Sequence, residues 1–208
     1  MQEIRRATKP VHLLVCEAGT DTRSRFGALV GVYVDDVAAV TEHLASNGDD
    51  DRVFAALREL AFEIKICFAA KHKLAPLGGD WIYALMTCLV DRMWDPDRHR
   101  APVIVHLRQA FPLDLEWLDD CLTASMFHRV NVRMQVLDAS ERRLLLPELV
   151  ARVFHAAVED DPDQPSAARA RYDELAPFIT RIEDVGRDIS YFDNATSSDE
   201  LVRTSLRS

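Results

Sequence analysis

Apolar and polar positions first separate along Val11 to Val34. There, two apolar runs, Val11 to Val15 and Phe26 to Val34, flank a polar turn of Asp, Thr, Gly, Arg and Ser. This pattern predicts two adjacent antiparallel strands joined by a loop of roughly eight to ten residues. The first run is almost wholly apolar, which places it inside a sheet covered on both faces. Phe62-Glu63-Ile64-Lys65-Ile66 alternates as a short strand, Pro102 to Leu107 reads as a buried strand, and Arg129 to Leu137 alternates as a half-exposed one. Three- and four-residue steps predict helices between them. The first covers Val37, Val40 and Leu44 behind an Asp35-Asp36 cap, and the next carries Val53, Phe54, Leu57 and Leu60. Further helices run from Gly79-Asp80 to Met93, from Leu113 to Met126, and from a start around Leu145 to Pro147 to Val158. A last helix, Ser166 to Val185, carries Tyr172, Leu175, Phe178, Ile179 and Ile182. Residues 70–78 form a basic loop.

Strands near 11–16, 26–34, 62–66, 102–107 and 129–137, interleaved with helices, predict an α/β fold: a mixed five-stranded sheet with helices on both faces. The expected organisation is an N-terminal extension over 1–10, one domain over 11–190, and a polar C-terminal tail over 191–208 that is expected to be disordered. A chain of 208 residues fits one such domain.

Charge and cysteine usage narrow the functional classes. The formal net charge of −9 argues against a broadly basic nucleic-acid-binding surface, though not against a local basic groove. Acid gathers at Asp49-Asp50-Asp51 and Glu159-Asp160-Asp161, both read as solvated loop charge. Cys16, Cys67, Cys88 and Cys121 are scattered, so reduced buried thiols are expected instead of a disulfide framework or a zinc site. No apolar run approaches the ~18 residues that cross a bilayer, and no signal-peptide pattern opens the chain. The expectation is a cytoplasmic protein without a membrane partner. There is no G-x-S-x-G and no Gly-rich phosphate loop.

The first strand ends in Cys16-Glu17-Ala18-Gly19 and the second is the long apolar run Phe26 to Val34. Glu63-Ile64-Lys65 follows on a strand, Val103-Ile104-Val105-His106 on another, and Pro147-Glu148-Leu149 opens a helix. In this order the chain resembles an RNase-H-like family of uncharacterised proteins over roughly Val11 to Val158. That family ends its first strand in Asp-Glu-Ser-Gly, carries Glu-x-Lys on a strand, closes a later apolar strand with an acid, and opens a helix with Ala-Asp-Leu. The resemblance implies an RNase-H-like fold with degenerate positions at Cys16 and His106, where the family has acids.

RNase-H-like nucleases gather carboxylates around two divalent ions. Magnesium prefers oxygen ligands, and Cys16 offers a soft thiol. His106 could ligate a softer metal such as manganese or zinc but does not replace a bridging carboxylate. Arg108 lies two residues on, on the same strand face. Glu17, Glu63 and Glu148 remain as the acids the resemblance assigns to catalysis or metal binding, with His106 as a weak further ligand.

Each residue also has a plainer reading. Glu17 and Glu63 serve equally well as surface acids, Glu63 paired with Lys65 or with the Arg23/Arg25 loop. Glu148 suits a helix N-terminus by ~0.3–1 kcal/mol whatever its function. Cys16 reads as a buried small hydrophobe and His106 as a satisfied core histidine.

The preferred expectation is a catalytically impaired RNase-H-like protein that acts as a macromolecular binding or interaction module. No cofactor is then expected, and the partner is a protein, or a second copy docking through 166–185, in preference to nucleic acid. The alternative is a metal-dependent nuclease that uses Glu17, Glu63 and Glu148 with magnesium or manganese. Arg23, Arg25, Lys71, Lys73 and Arg108 would then be phosphate or partner contacts, with His72 beside them. An acidic mimic of nucleic acid is a third possibility.

Overall fold

The computed structural model describes residues 9–46, 54, 57–89, 102–108, 114, 116, 120, 132–138, 140–159 and 167–186. The β-branched runs form β1 (Val11–Ala18), β2 (Phe26–Val34), β3 (Phe62–Ala70), β4 (Val103–Arg108) and β5 (Val132–Leu137). A sixth strand, β6 (Ile179–Asp184), closes the far edge. The sheet order is β5-β4-β1-β2-β3-β6. β1, β2 and β3 run antiparallel to their neighbours in turn, whereas β4 joins β1, β5 joins β4 and β6 joins β3 in parallel.

The period of two splits the central strands between two cores. Leu13, Val15, Leu29 and Cys67 face one way, onto Leu85 and Met86 of α3 (Trp81–Thr87). Leu14, Cys16, Val30, Val32 and Ile66 face the other way. They meet Val40 and Leu44 of α1 (Val37–Ser46) and Val150 and Phe154 of α4 (Leu145–Glu159). Each fully buried Leu, Ile or Val contributes about 1.5–3 kcal/mol, and the burial on both sides fixes β1 inside the sheet as its apolar run predicts. Gly31 lets that packing close: a Cβ there would lie 2.8 Å from side-chain carbons of Leu13 and Leu89.

Several boundaries differ from expectation. The expected helix over 166–185 is instead α5 (Ala167–Leu175), a 3-10 turn at Ala176–Phe178, and β6. Pro177 lacks the N–H that a continuing helix needs. Beyond it, Ile179 to Ile182 pairs along the edge of β3, Ile179 with Ile64 and Ile182 with Ile66. The sheet therefore has six strands where five were expected. β1 and β3 also run further than predicted, to Ala18 and Ala70. The basic segment after β3 is helical, as a short turn α2 (Lys71–Leu74) and a 3-10 stretch (Ala75–Asp80). The next helix starts at Trp81, not at Gly79-Asp80.

In the predicted helix over 53–60, Phe54 and Leu57 are helical and Leu60 lies in a bend. The expected helix over 113–126 falls almost wholly outside the described residues, as do Cys121, most of the N-terminal extension and the C-terminal tail. Cys16, Cys67 and Cys88 are buried thiols that form no disulfide. Among the described residues, no helix is long and apolar enough to cross a membrane.

Candidate functional site

β1 and β4 are parallel neighbours, with Leu14 level with His106, so their C-terminal ends reach the same margin of the sheet. The chain after β5 returns to this margin through a 3-10 turn at Arg142–Leu144 and enters α4, whose first turn carries Glu148. Residues far apart in sequence thus meet: Cys16 and Glu17 from β1, Arg108 from β4 and Glu148 from α4.

Arg108 is the centre of the group. Its Nη2 donates to Oε1 of Glu17, and its Nη1 lies 3.8 Å from Oε1 of Glu148. The Glu17 side chain is only 4% exposed, whereas those of Arg108 and Glu148 are about a third exposed. Among the described residues, the buried Oε2 of Glu17 and Nε of Arg108 have no hydrogen-bond partner. The bond to Glu17 raises the pKa of the guanidinium further, which keeps the positive charge in place.

Cys16 sits against this group with its Sγ 3.3 Å from the carbonyl oxygen of Glu17. Burial pushes its thiol up to about 12, helped by the charges of Glu17 and Glu148 and opposed by Arg108. A thiol held protonated is a poor nucleophile and a poor metal ligand.

His106 lies one strand period before Arg108 and is fully buried. Its Nε2 is 2.8 Å from Nδ1 of His12, one ring nitrogen donating and the other accepting, and the two rings stack at 5.1 Å. Burial, then His12 and Arg143, bring its pKa down to about 4. The ring is neutral near pH 7 and already engaged on one side. Its partner His12 was not singled out from the sequence, although a lone His in each of two apolar runs is the signal that parallel pairing turns into a contact.

The expectation that Glu63 joins Glu17 and Glu148 is corrected by the register. Glu17 is level with Leu29 and through it with Cys67, whereas Glu63 is level with Tyr33 and through it with Leu13. Four residues of strand, about 13 Å, and two inter-strand steps, about 10 Å, therefore separate the backbones of Glu63 and Glu17. Lys65, on the face of β3 shared with Glu63, places its Nζ 4.6 Å from the Tyr33 ring centroid.

The basic residues expected as contacts divide. In the loop after β1, Asp21 accepts from Arg23 N at 2.8 Å, Ser24 N at 3.0 Å and Ser24 Oγ at 2.6 Å. The Ser24 hydroxyl first, and the Arg23 amide next, bring the pKa of Asp21 to about 2. Arg25 donates from Nε to Glu159 Oε2 at 2.9 Å, and the amides of Arg25 and Phe26 donate to Oε1 at 2.6 and 3.0 Å. Glu159, expected as solvated loop charge, is thus the clasp between the end of α4 and the start of β2. Lys71 donates its amide to Arg25 O at 2.7 Å and its Nζ to Asp21 O at 3.3 Å. Arg23, Arg25 and Lys71 therefore gather beyond the end of β1, with Arg25 and Lys71 bound to protein acceptors. His72 is exposed, and Lys73 is half-buried beside Gly186.

Gly19 sets the path of this loop. It has φ +68, and a Cβ there would fall 2.0 Å from Phe26 O and 3.0 Å from His155 Nε2.

Among the described residues, no group of three or more His, Cys, Asp or Glu side chains could hold a metal ion. No family model matches the sequence, and no curated protein matches it. Among solved structures, the chain is similar to the archaeal RNase HII in the complex of PCNA and RNase HII from Archaeoglobus fulgidus. The two share 12% identity at a TM-score of 0.51, over 95% of this chain and 87% of that one. At that identity the likeness speaks for the fold alone: the six-stranded α/β chain has an RNase-H-like fold.

Proposed function

We propose that the chain is a catalytically impaired RNase-H-like protein that acts as a macromolecular binding or interaction module. The observation that carries this reading is the guanidinium of Arg108 between Glu17 and Glu148. A two-metal nuclease needs those carboxylates for hard cations that clamp the attacking and leaving oxygens. Here a fixed organic cation engages them, hydrogen-bonded to Glu17 and ion-paired with Glu148 at 3.8 Å.

The surrounding donors fit a divalent centre no better. Cys16 presents a protonated thiol, His106 is bonded to His12, and the register removes Glu63. The orphaned Oε2 of Glu17 is one free oxygen in a sealed position, which is too little for a pair of ions. A fold retained after its chemistry is lost acts through its surfaces. The archaeal RNase HII that shares the fold was solved in complex with a protein, PCNA, and a protein partner, or a second copy of this chain, belongs to the same proposal.

The test is incubation of purified protein with RNA, DNA and hybrid duplexes in magnesium or manganese, beside calorimetric titration of each ion. No cleavage and no ion uptake are expected. Cleavage that disappears in Glu17→Gln or Glu148→Gln would refute the reading.

A further inference from the structure

We infer that the outer edge of β6 is a docking surface for a second copy of this chain, whose own β6 pairs with it antiparallel about a two-fold axis through Ile182. The inference rests on the reading of a protein that acts through its surfaces, and it names the partner. β6 ends the sheet order, and among the described residues no strand pairs with its outer side. Such an edge presents a row of backbone donors and acceptors that a further strand can use.

The ladder to β3 decides which residues those are. Phe68 stands level with Asp184, and its carbonyl oxygen accepts from the amide of Val185 at 2.9 Å. Successive residues of a strand turn their N–H and C=O to opposite sides. Val185, Glu183 and Arg181 thus direct theirs to β3, whereas Asp184 and Ile182 direct theirs outward. An antiparallel partner sets outward residue against outward residue and inward against inward, so the two-fold axis passes through a residue and never between two. Centred on Arg181, Glu183 or Asp184, it places like charges directly opposite each other, which destabilises a strand pair. Thr180 sits at the register shift near the start of the strand, where few residues are left to pair. Centred on Ile182, the axis places Arg181 of each copy opposite Glu183 of the other. These are the non-hydrogen-bonded pairs, in which side chains approach most closely, while the two Ile182 residues exchange N–H···O bonds.

The side chains agree with this centre. Ile182 is 41% exposed at the sheet edge, and the two-fold brings it against its copy. Arg181 and Glu183 share the other face and already pair at 3.3 Å within the strand. Arg181 also stands level with Lys65, so a second carboxylate beside it offsets like charge. β5, the other edge of the sheet, carries Arg133 and no acid within the strand, so no two-fold register there sets opposite charges together. The contact is short, so the dimer forms as concentration rises and dilute protein is monomeric.

The experiment is light scattering on full-length wild type, Arg181→Glu, Glu183→Arg and Ile182→Pro from about 1 μM to about 500 μM, with circular dichroism to verify folding. Wild type should pass from monomer to dimer. Arg181→Glu and Glu183→Arg should each stay monomeric, because each sets like charges opposite one another. An equimolar mixture of the two should regain the dimer, because an acidic strand then meets a basic one. Ile182→Pro removes an outward N–H while sparing the ladder to β3, and should be a folded monomer. Wild type that stays monomeric at the highest concentration overturns the inference, as does any assembly larger than a dimer, since this two-fold uses the edge up. So does a dimer that folded Arg181→Glu or folded Ile182→Pro leaves intact, or a mixture of folded charge variants that stays monomeric. If Glu183→Arg or Ile182→Pro does not fold, Arg181→Glu decides, since that side chain is 48% exposed. Cleavage of nucleic acid by wild type would sink the impaired reading whatever the mass. A monomer without cleavage leaves that reading standing and removes only the second copy.

Discussion

His12 and His106 hold each other across the β1/β4 pairing, with Nδ1 of one 2.8 Å from Nε2 of the other. His106 is fully buried, and its pKa falls from 6.5 to about 4 through burial, then His12, then Arg143. Between those values the unfolded chain binds a proton that the folded chain refuses. The stabilising contribution is therefore complete above about pH 6.5 and is lost as pH falls toward 4. Wild type should lose about 2 kcal/mol more than His106→Leu between pH 7 and pH 5. Urea unfolding at the two pH values measures this, and identical losses in both proteins would refute it.

The Glu17–Arg108 pair predicts an asymmetry between breaking it and replacing it. Arg108→Ala leaves Glu17 buried without its counter-charge and should cost about 2–3 kcal/mol in the absence of divalent ions, a figure reduced for the partial exposure of Arg108. Replacing both as Glu17→Leu/Arg108→Met should restore most of the loss. Denaturant unfolding in EDTA decides, and a double variant as unstable as Arg108→Ala would show that the site does not tolerate an apolar pair.

Cys16 should be inert in the folded protein. Its thiol is 6% exposed and pushed up to about 12, so little thiolate forms at pH 8 and reagent has little access to it. Iodoacetamide at that pH, followed by peptide mass spectrometry, should leave Cys16 unmodified natively and modify it in urea. Rapid native labelling of Cys16 would contradict the burial described.

Phe178 and Ile182 separate an inward apolar residue from an outward one. Phe178 stacks on Phe62 with centroids 4.6 Å apart, whereas Ile182 is 41% exposed. Phe178→Asp should destabilise the fold by about 2–4 kcal/mol, and Ile182→Asp should stay within about 0.5 kcal/mol of wild type. Urea unfolding gives both values. Light scattering on the same samples reads self-association: a dimer that Ile182→Asp turns into a folded monomer would place an interface on β6.

The five apolar runs were legible as strands because β-branched residues concentrate in them and polar turns bound them. β6 was not, because Phe178, Ile179 and Ile182 keep the one- and three-residue steps of a helix face. Only Pro177 and the open edge of β3 decide otherwise. Glu148 was read correctly as standing in a first helical turn, a local matter. The separation of Glu63 from Glu17 follows from how β2 registers against both neighbours, which no local pattern encodes. The same holds for Arg108: its place on a strand face was readable, but its meeting with Glu17 required β1 and β4 to lie side by side in parallel. Glu159 looked like one more acid in an acidic run until the start of β2 came within reach.

Helix α4 is fastened by charge at both ends. Glu148 in its first turn faces Arg108 of β4, and Glu159 at its last residue grips Arg25 and the amide of Phe26 at the head of β2. Its middle lies on β1 and β2 through Val150 and Phe154. A helix attached at one end can fray from the other and expose its amides piecemeal. One anchored at both must release β4 and β2 together, so the amide protons in its centre exchange only when the sheet itself opens, and helix and central strands form a single cooperative unit.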